Sequence, residues 1–173
     1  LEEEAAKEEP RKHRYVLRDL AVAENAFAYE YTGYLSNIHS VKAYFDANLD
    51  MLESEKFYKL FAPNQKVYTK VKNEEPTYYA TSSDVKVSQF ASGSIVRGKV
   101  EHSVVSRNVD LAEGSSVGHS VLFPRVKVGK GATVEYAIVD KGVEIAEGVT
   151  IRGTENNPVV IRKGSVVTED IVR

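Results

Sequence analysis

From Leu111 to Ile151 the chain repeats itself every 17 residues. Val109, Val126 and Val143 occupy one column of the repeat and Leu111, Val128 and Ile145 a second. Gly114, Gly131 and Gly148 form a third, and Val117, Val134 and Ile151 a fourth. Self-similarity at a fixed period marks units that bury a continuous core only by stacking on one another. A shorter rhythm runs inside each unit. Leu111 leads to Ser115, Val117 to Val121 and Leu122 to Val126, so a large aliphatic returns about every six residues. Val128, Ala132, Val134, Ile138, Val139 and Val143 repeat that order, and Ile161, Ser165, Val167 and Ile171 carry it to the C-terminus.

This hexapeptide rhythm predicts a mainly β fold: a parallel β-helix whose coils each consist of three short strands, with the large residue pointing inward. Turns stack at roughly 4.8 Å, so five turns predict a prism roughly 24 Å tall. The glycine columns fall near corners, where a positive φ costs glycine little. No helical period fits the columns.

Composition excludes more than it assigns. A 42% hydrophobic content over 173 residues supplies a core, and a net charge of −2 gives no basic field for nucleic acid or a membrane surface. No apolar stretch approaches the ~18 residues a membrane span needs, and nothing resembles a secretion signal. Cysteine is absent, which removes disulfides and thiolate metal sites. Cytoplasmic placement is the default expectation.

The chain ahead of the coils has another texture. Leu1–His13 is charge-dense, and Pro10 interrupts any helix there. Phe27, Tyr29 and Tyr31 alternate with Ala28 and Glu30, which predicts a strand ending at Gly33. Ser40 is placed to cap a helix whose apolar face is Val41, Tyr44, Phe45, Leu49 and Leu52. A second helix, Ser54 to Phe61, presents Phe57, Leu60 and Phe61. One strand and two helices cannot cover their own apolar faces, so residues 1–61 are expected to be the tail of a larger α/β domain and the chain a fragment of a longer polypeptide. Residues 62–84, with Pro63 and Pro76, predict a linker, and residues 85–173 the β-helix.

The stretch AYEYTGYLSNIHSVKAYFDANLDML resembles the last strand and helix of the nucleotidyltransferase domain in bacterial glucose-1-phosphate adenylyltransferases. VYTKVKNEEPTYY is similar to that family's linker, and SGSIVRGKVEHSVVSRNV and VEYAIVDKGVEIAEGVTIRG to its C-terminal left-handed β-helix. The likeness is closer to the accessory subunit of glycogen biosynthesis than to the catalytic subunit. It implies a role in assembling with, and modulating, a catalytic partner that makes ADP-glucose and pyrophosphate from ATP and glucose-1-phosphate. It also implies an oligomer built of this chain, a catalytic subunit, or both, with the β-helix as the interface.

The departure from the family pattern lies at Gly33–Ser40. Catalytic members read G-Y-W-x-D-I/V-G-T there, and the aspartate helps hold Mg²⁺. Here Leu35 stands at the tryptophan position and Asn37 at the aspartate position. A neutral amide is a weak ligand for a hard cation. The family's Gly-rich nucleotide loop is absent from these residues, and Gly129–Lys130–Gly131 is explained by the repeat as a corner. The chain is therefore expected to carry no catalytic and no metal-binding residue and no cofactor of its own, with Mg²⁺ belonging to the catalytic partner. A catalytic full-length chain that tolerates Asn37 is the contrasting reading within the family.

Two further constellations stand out. His102 and His119 share a column with Tyr136, which predicts a surface ladder; the enzymatic alternative is an acyltransferase of the hexapeptide class using His102 or His119 as base. No Asp or Glu is in register with the two histidines to complete a metal site. Arg97, Arg107, Arg125 and Lys127 lie near corners and form a candidate anion or effector patch. Lys141 is expected at a corner, and Tyr78 and Tyr79 are expected to pack the linker onto the first coil or onto a neighbouring subunit.

Overall fold

The computed structural model describes residues 13–23, 27, 29–61, 67–69 and 72–173. They fall into two units, Leu1–Thr32 and Gly33–Arg173. In the first unit, α1 (His13–Ala23) buries Val16. The alternating aromatic stretch forms no strand among the described residues: Phe27, Tyr29 and Tyr31 are exposed and lie outside every sheet. A strand exists only as a member of a ladder, so alternation without a neighbouring edge yields extended chain. The readings of residues 1–12, and of Ala28 and Pro63, lie outside the described residues.

The second unit is a parallel β-solenoid of about six turns. Its first sheet stacks six strands in the order Tyr78–Tyr79, Ile95–Val96, Asp110–Leu111, Lys127–Val128, Glu144–Ile145 and Val166–Val167. The second stacks Asp84–Lys86, Lys99–Glu101, Ser116–Gly118, Thr133–Glu135, Thr150–Arg152 and Ile171–Val172. The third stacks Gln89–Phe90, Val104–Val105, Val121–Leu122, Ala137–Val139 and Val159–Ile161. The sequence columns are the register: Leu111, Val128 and Ile145 are partners, as are Val117, Val134 and Ile151. With Val109, Val126 and Val143 these residues make a single buried core.

The stack is one turn taller than five because Tyr78–Tyr79, inside the expected linker, already pairs with Ile95–Val96. Tyr79 meets Phe90 edge-on at 5.4 Å, sealing the first coil. The period also bends at two places. The coil from Ile95 to Asp110 is short, and the coil from Glu144 to Val166 is long because residues 153–158 loop out at a corner.

Two helices accompany the solenoid. Ser40 caps α2 (Val41–Leu49), its hydroxyl accepting the Ala43 N–H at 3.1 Å. A 3₁₀ turn, Asp50–Leu52, leads to α3 (Ser54–Leu60). The outer faces of the first and second sheets carry charged residues, whereas the third presents Val104, Val121 and Ile138. That apolar face receives α2: Phe45, 1% exposed, packs with Val121 and Ile138, with Tyr44, Leu49 and Phe123 around them. Gln89 adds a side-chain bond to the Met51 carbonyl. The helix, expected in the tail of a larger α/β domain, thus belongs to the same unit as the solenoid.

Candidate functional site

The corner between the second and third sheets builds the most distinctive side-chain array. Val87, His102, His119 and Tyr136 occupy it in successive coils, all with positive φ (41°, 47°, 43° and 49°). This is the left-handed region, uncommon for residues other than glycine and most so for a β-branched valine. The next residue in each coil shows what holds it there. The Ser103 N–H donates to Ser88 Oγ, the Ser120 N–H to Ser103 Oγ and the Ala137 N–H to Ser120 Oγ, each at 3.1 Å. The Ser88, Ser103 and Ser120 hydroxyls in turn donate to the carbonyls of Lys86, Glu101 and Gly118. A chain of hydroxyls, buried at Ser103 and Ser120, thus satisfies backbone groups that the tight corner would otherwise leave unpaired.

The strained corner throws its side chains outward into a stack. His102 and His119 ring centroids lie 5.1 Å apart, and His119 and Tyr136 4.8 Å apart with nearly parallel planes. The expected ladder is therefore present, half-buried because it forms one wall of an open groove of about 530 Å³. The opposite wall is α2 and its extension, with Lys42, Asp46, Asp50 and Glu53 at the rim. Glu155, from the loop at residues 153–158, also lines it. That loop brings a carboxylate to the histidine column which no sequence register places there. Among the described residues no three His, Asp or Glu side chains are grouped to hold a metal ion.

The acidic wall is internally paired. Lys42 reaches Asp46 at 2.6 Å, and Lys56 bridges Asp50 at 2.6 Å and Glu53 at 2.9 Å. Tyr34 donates its hydroxyl to Asp50 at 3.0 Å. Burial, and then the bond to Asp50, raise the Tyr34 phenol above its ordinary value; the bonds to Asp50 and Glu53 raise the Lys56 ammonium.

The loop from Gly33 to Ser40 leaves Leu35 81% exposed and Asn37 exposed. The Asn37 carbonyl accepts the His39 N–H at 3.1 Å and lies 2.9 Å from His39 Nδ1. An amide and an imidazole are a poor donor set for Mg²⁺, which prefers charged oxygens, so these residues do not fit the ion.

The four cations of the candidate anion patch fall in two separate places. Arg97 and Lys127 share a recess on the first sheet, where Arg97 pairs with Asp110 and Lys127 with Glu144, each at 2.7 Å. Arg107 and Arg125 stack at the corner between the third and first sheets, where the Arg125 N–H donates to the Arg107 carbonyl. Arg107 lies 3.7 Å from Glu74, which also receives Ser92 and Asn108 and so fastens the linker to the coil. Lys141 lies in a corner turn, as expected.

Coils of three short parallel strands, hexapeptide columns and corner ladders define a protein of the hexapeptide-repeat β-solenoid class. More particularly, the chain belongs to the family described as GlmU-like, C-terminal hexapeptide, which matches residues 71–172. It is similar to the "Glycogen biosynthesis protein GlgD" of Bacillus subtilis (strain 168), at 41% identity over 141 residues, 82% of this chain and 41% of that protein. It is similar to the protein of the same name in Geobacillus stearothermophilus, at 54% identity over 127 residues, 73% of this chain and 37% of that protein. A "Glucose-1-phosphate adenylyltransferase" of Bacillus mycoides (strain KBAB4) matches at 36% identity over 90 residues, 52% of this chain and 24% of that protein. The chain thus spans about two-fifths of the length of the two GlgD relatives. Among the described residues no helix is long and apolar enough to cross a membrane.

Proposed function

We propose that this chain is part of an accessory subunit of glucose-1-phosphate adenylyltransferase in glycogen biosynthesis, assembling with and modulating a catalytic subunit that holds the Mg²⁺. The observation that carries the reading is the reach of the GlgD likeness. At 127 and 141 residues it is longer than the 71–172 span of the solenoid family, so it takes in chain ahead of the coils; the adenylyltransferase match is shorter and weaker. Asn37, in a loop whose donors do not suit Mg²⁺, supports a non-catalytic role.

The deciding experiment is the rate of ADP-glucose synthesis by a catalytic subunit from the same source, with and without the full-length form of this chain. A raised rate or altered effector response, with no activity from this chain alone, is the expected outcome. No effect, together with separate elution of the two proteins, overturns the reading. Asn37→Asp in the full-length form separates the two readings within the family: a large gain in rate would make the missing carboxylate the only obstacle to catalysis.

One observation favours a second reading, acyl transfer by His102 or His119. Both histidines and Glu155, on an inserted loop, line the same groove. Acetyl-CoA binding that is lost on His119→Ala would support it, and no binding would end it.

A further inference from the structure

The three corners of the solenoid differ in charge. Glu113, Lys130 and Glu147 stack at the corner between the first and second sheets, so the signs alternate there. The corner between the second and third sheets carries the histidine ladder. The corner between the third and first sheets carries cations in successive coils: Arg107, Arg125, Lys141, and Arg162 with Lys163. Backbone bonds hold them in a stack, the Arg125 N–H donating to the Arg107 carbonyl and the Gly164 N–H to the Lys141 carbonyl. Elsewhere on the solenoid, cations are paired across or along the coils: Arg97 with Asp110, Lys99 with Glu101, Lys127 with Glu144, Arg152 with Glu135. At this corner Arg107 lies 3.7 Å from Glu74. Arg125, Lys141, Arg162 and Lys163 are exposed and enter no ion pair among the described residues. Asp140, next to Lys141, turns a carboxylate oxygen to the Lys141 backbone N–H at 2.7 Å.

Like charges stacked on neighbouring strands destabilise the sheet that carries them. Alternation of the kind seen at Glu113, Lys130 and Glu147 avoids that cost, and the cationic corner does not use it. We propose that this corner is a binding edge for linear polyphosphate, which lies along the solenoid axis. From Arg107 to Lys163 the cations climb three coil steps of roughly 4.8 Å, a span of about 14 Å. A polyphosphate chain carries negative charge on every unit, spaced more closely than the coils, so each cation meets a phosphate without a fixed register. Its condensed counterions are released on binding, which supplies affinity that isolated surface ion pairs lack. The columns of Arg107, Arg125, Lys141 and Lys163 otherwise hold Ser92, Gly93, Asn108, Pro124, Gly142 and Gly164. None of these offers a ring on which a nucleobase could stack, or a large apolar anchor for a partner helix. At Gly142 and Gly164 there is open space where a Cβ would stand, so a chain can lie against the backbone. Polyphosphate binding here requires neither a catalytic partner nor the histidine groove.

Fluorescence anisotropy of labelled long-chain polyphosphate, titrated with the full-length form of this chain over a salt series, measures the binding. The discriminating variant combines Arg125→Asn, Lys141→Gln and Lys163→Gln. It removes no ion pair, and asparagine tolerates the positive φ of 63° at position 125. Affinity should fall at least about tenfold, and the salt slope by about two, as the loss of three phosphate contacts dictates. Lys99→Gln, Lys130→Gln and Arg152→Gln together lower the net charge equally, away from this edge, and should leave both nearly unchanged. Orthophosphate at the same total phosphate should not displace the chain. Circular dichroism checks folding. Should the edge variant fail to fold, Lys141→Gln with Lys163→Gln should give a smaller loss in the same direction. No binding, equal losses in the two triple variants, or equal displacement by orthophosphate or a single-stranded oligonucleotide overturns the proposal. The accessory role is read separately, by the rate of ADP-glucose synthesis.

Discussion

Ser120 shows how much a single buried hydroxyl can hold. It is fully buried, donates to the Gly118 carbonyl and accepts the Ala137 N–H of the next coil. Ser120→Ala removes the acceptor and strands a buried donor, a loss of about 1–3 kcal/mol. Urea unfolding should show the drop, and amide exchange should localise it to Ala137; Ser88→Ala, at the more open end of the chain of hydroxyls, should cost less. The columns at this scale were legible from spacing, since large aliphatics every six residues leave no other face to point them toward. The strained corner was not. Val87, His102, His119 and Tyr136 are not of one residue type, and the left-handed backbone that unites them is usually signalled by glycine. The signal that would have exposed it is the serine that follows three of the four.

At the scale of elements, α2 tests how propensity and packing divide the work. Its start was legible because Ser40 is an N-cap with an apolar run behind it, and the structure forms that bond. Ser40→Ala should cost about 1 kcal/mol. Phe45→Ala, which empties the contact with Val121 and Ile138, should cost about 3–5 kcal/mol, measured by chemical denaturation, and should free α2 from the third sheet. The Tyr34–Asp50–Lys56 cluster adds a pH dependence. Folded Tyr34 and Lys56 hold their protons above the ordinary values of 10.0 and 10.5, so the unfolded chain releases protons first. The stabilisation is complete below pH 10 and is lost as pH rises through the folded values. Denaturation above pH 10.5 should show the fall, and Tyr34→Phe should flatten the part due to the phenol. The expected strand at Phe27–Tyr31 failed at this same scale, because alternation specifies a face while a strand needs a partner edge.

For the molecule as a whole, stability should follow position in the stack, because each coil is held by its neighbours. Leu122→Ala, in the central core, should lower stability by about 2–5 kcal/mol. Val172→Ala, on the exposed last strand, should change it by less than about 0.5 kcal/mol; paired urea titrations would check both. The sequence by itself determined the solenoid, its register and its inward-facing residues, because a repeated period converts one local rule into a stack. Only the tertiary structure decided which face α2 covers, that residues 153–158 carry Glu155 to the histidine column, and that Arg97 and Lys127 part company with Arg107 and Arg125. Those outcomes depend on which surfaces meet across long separations in the chain, and a spacing rule carries no information about distances it does not repeat.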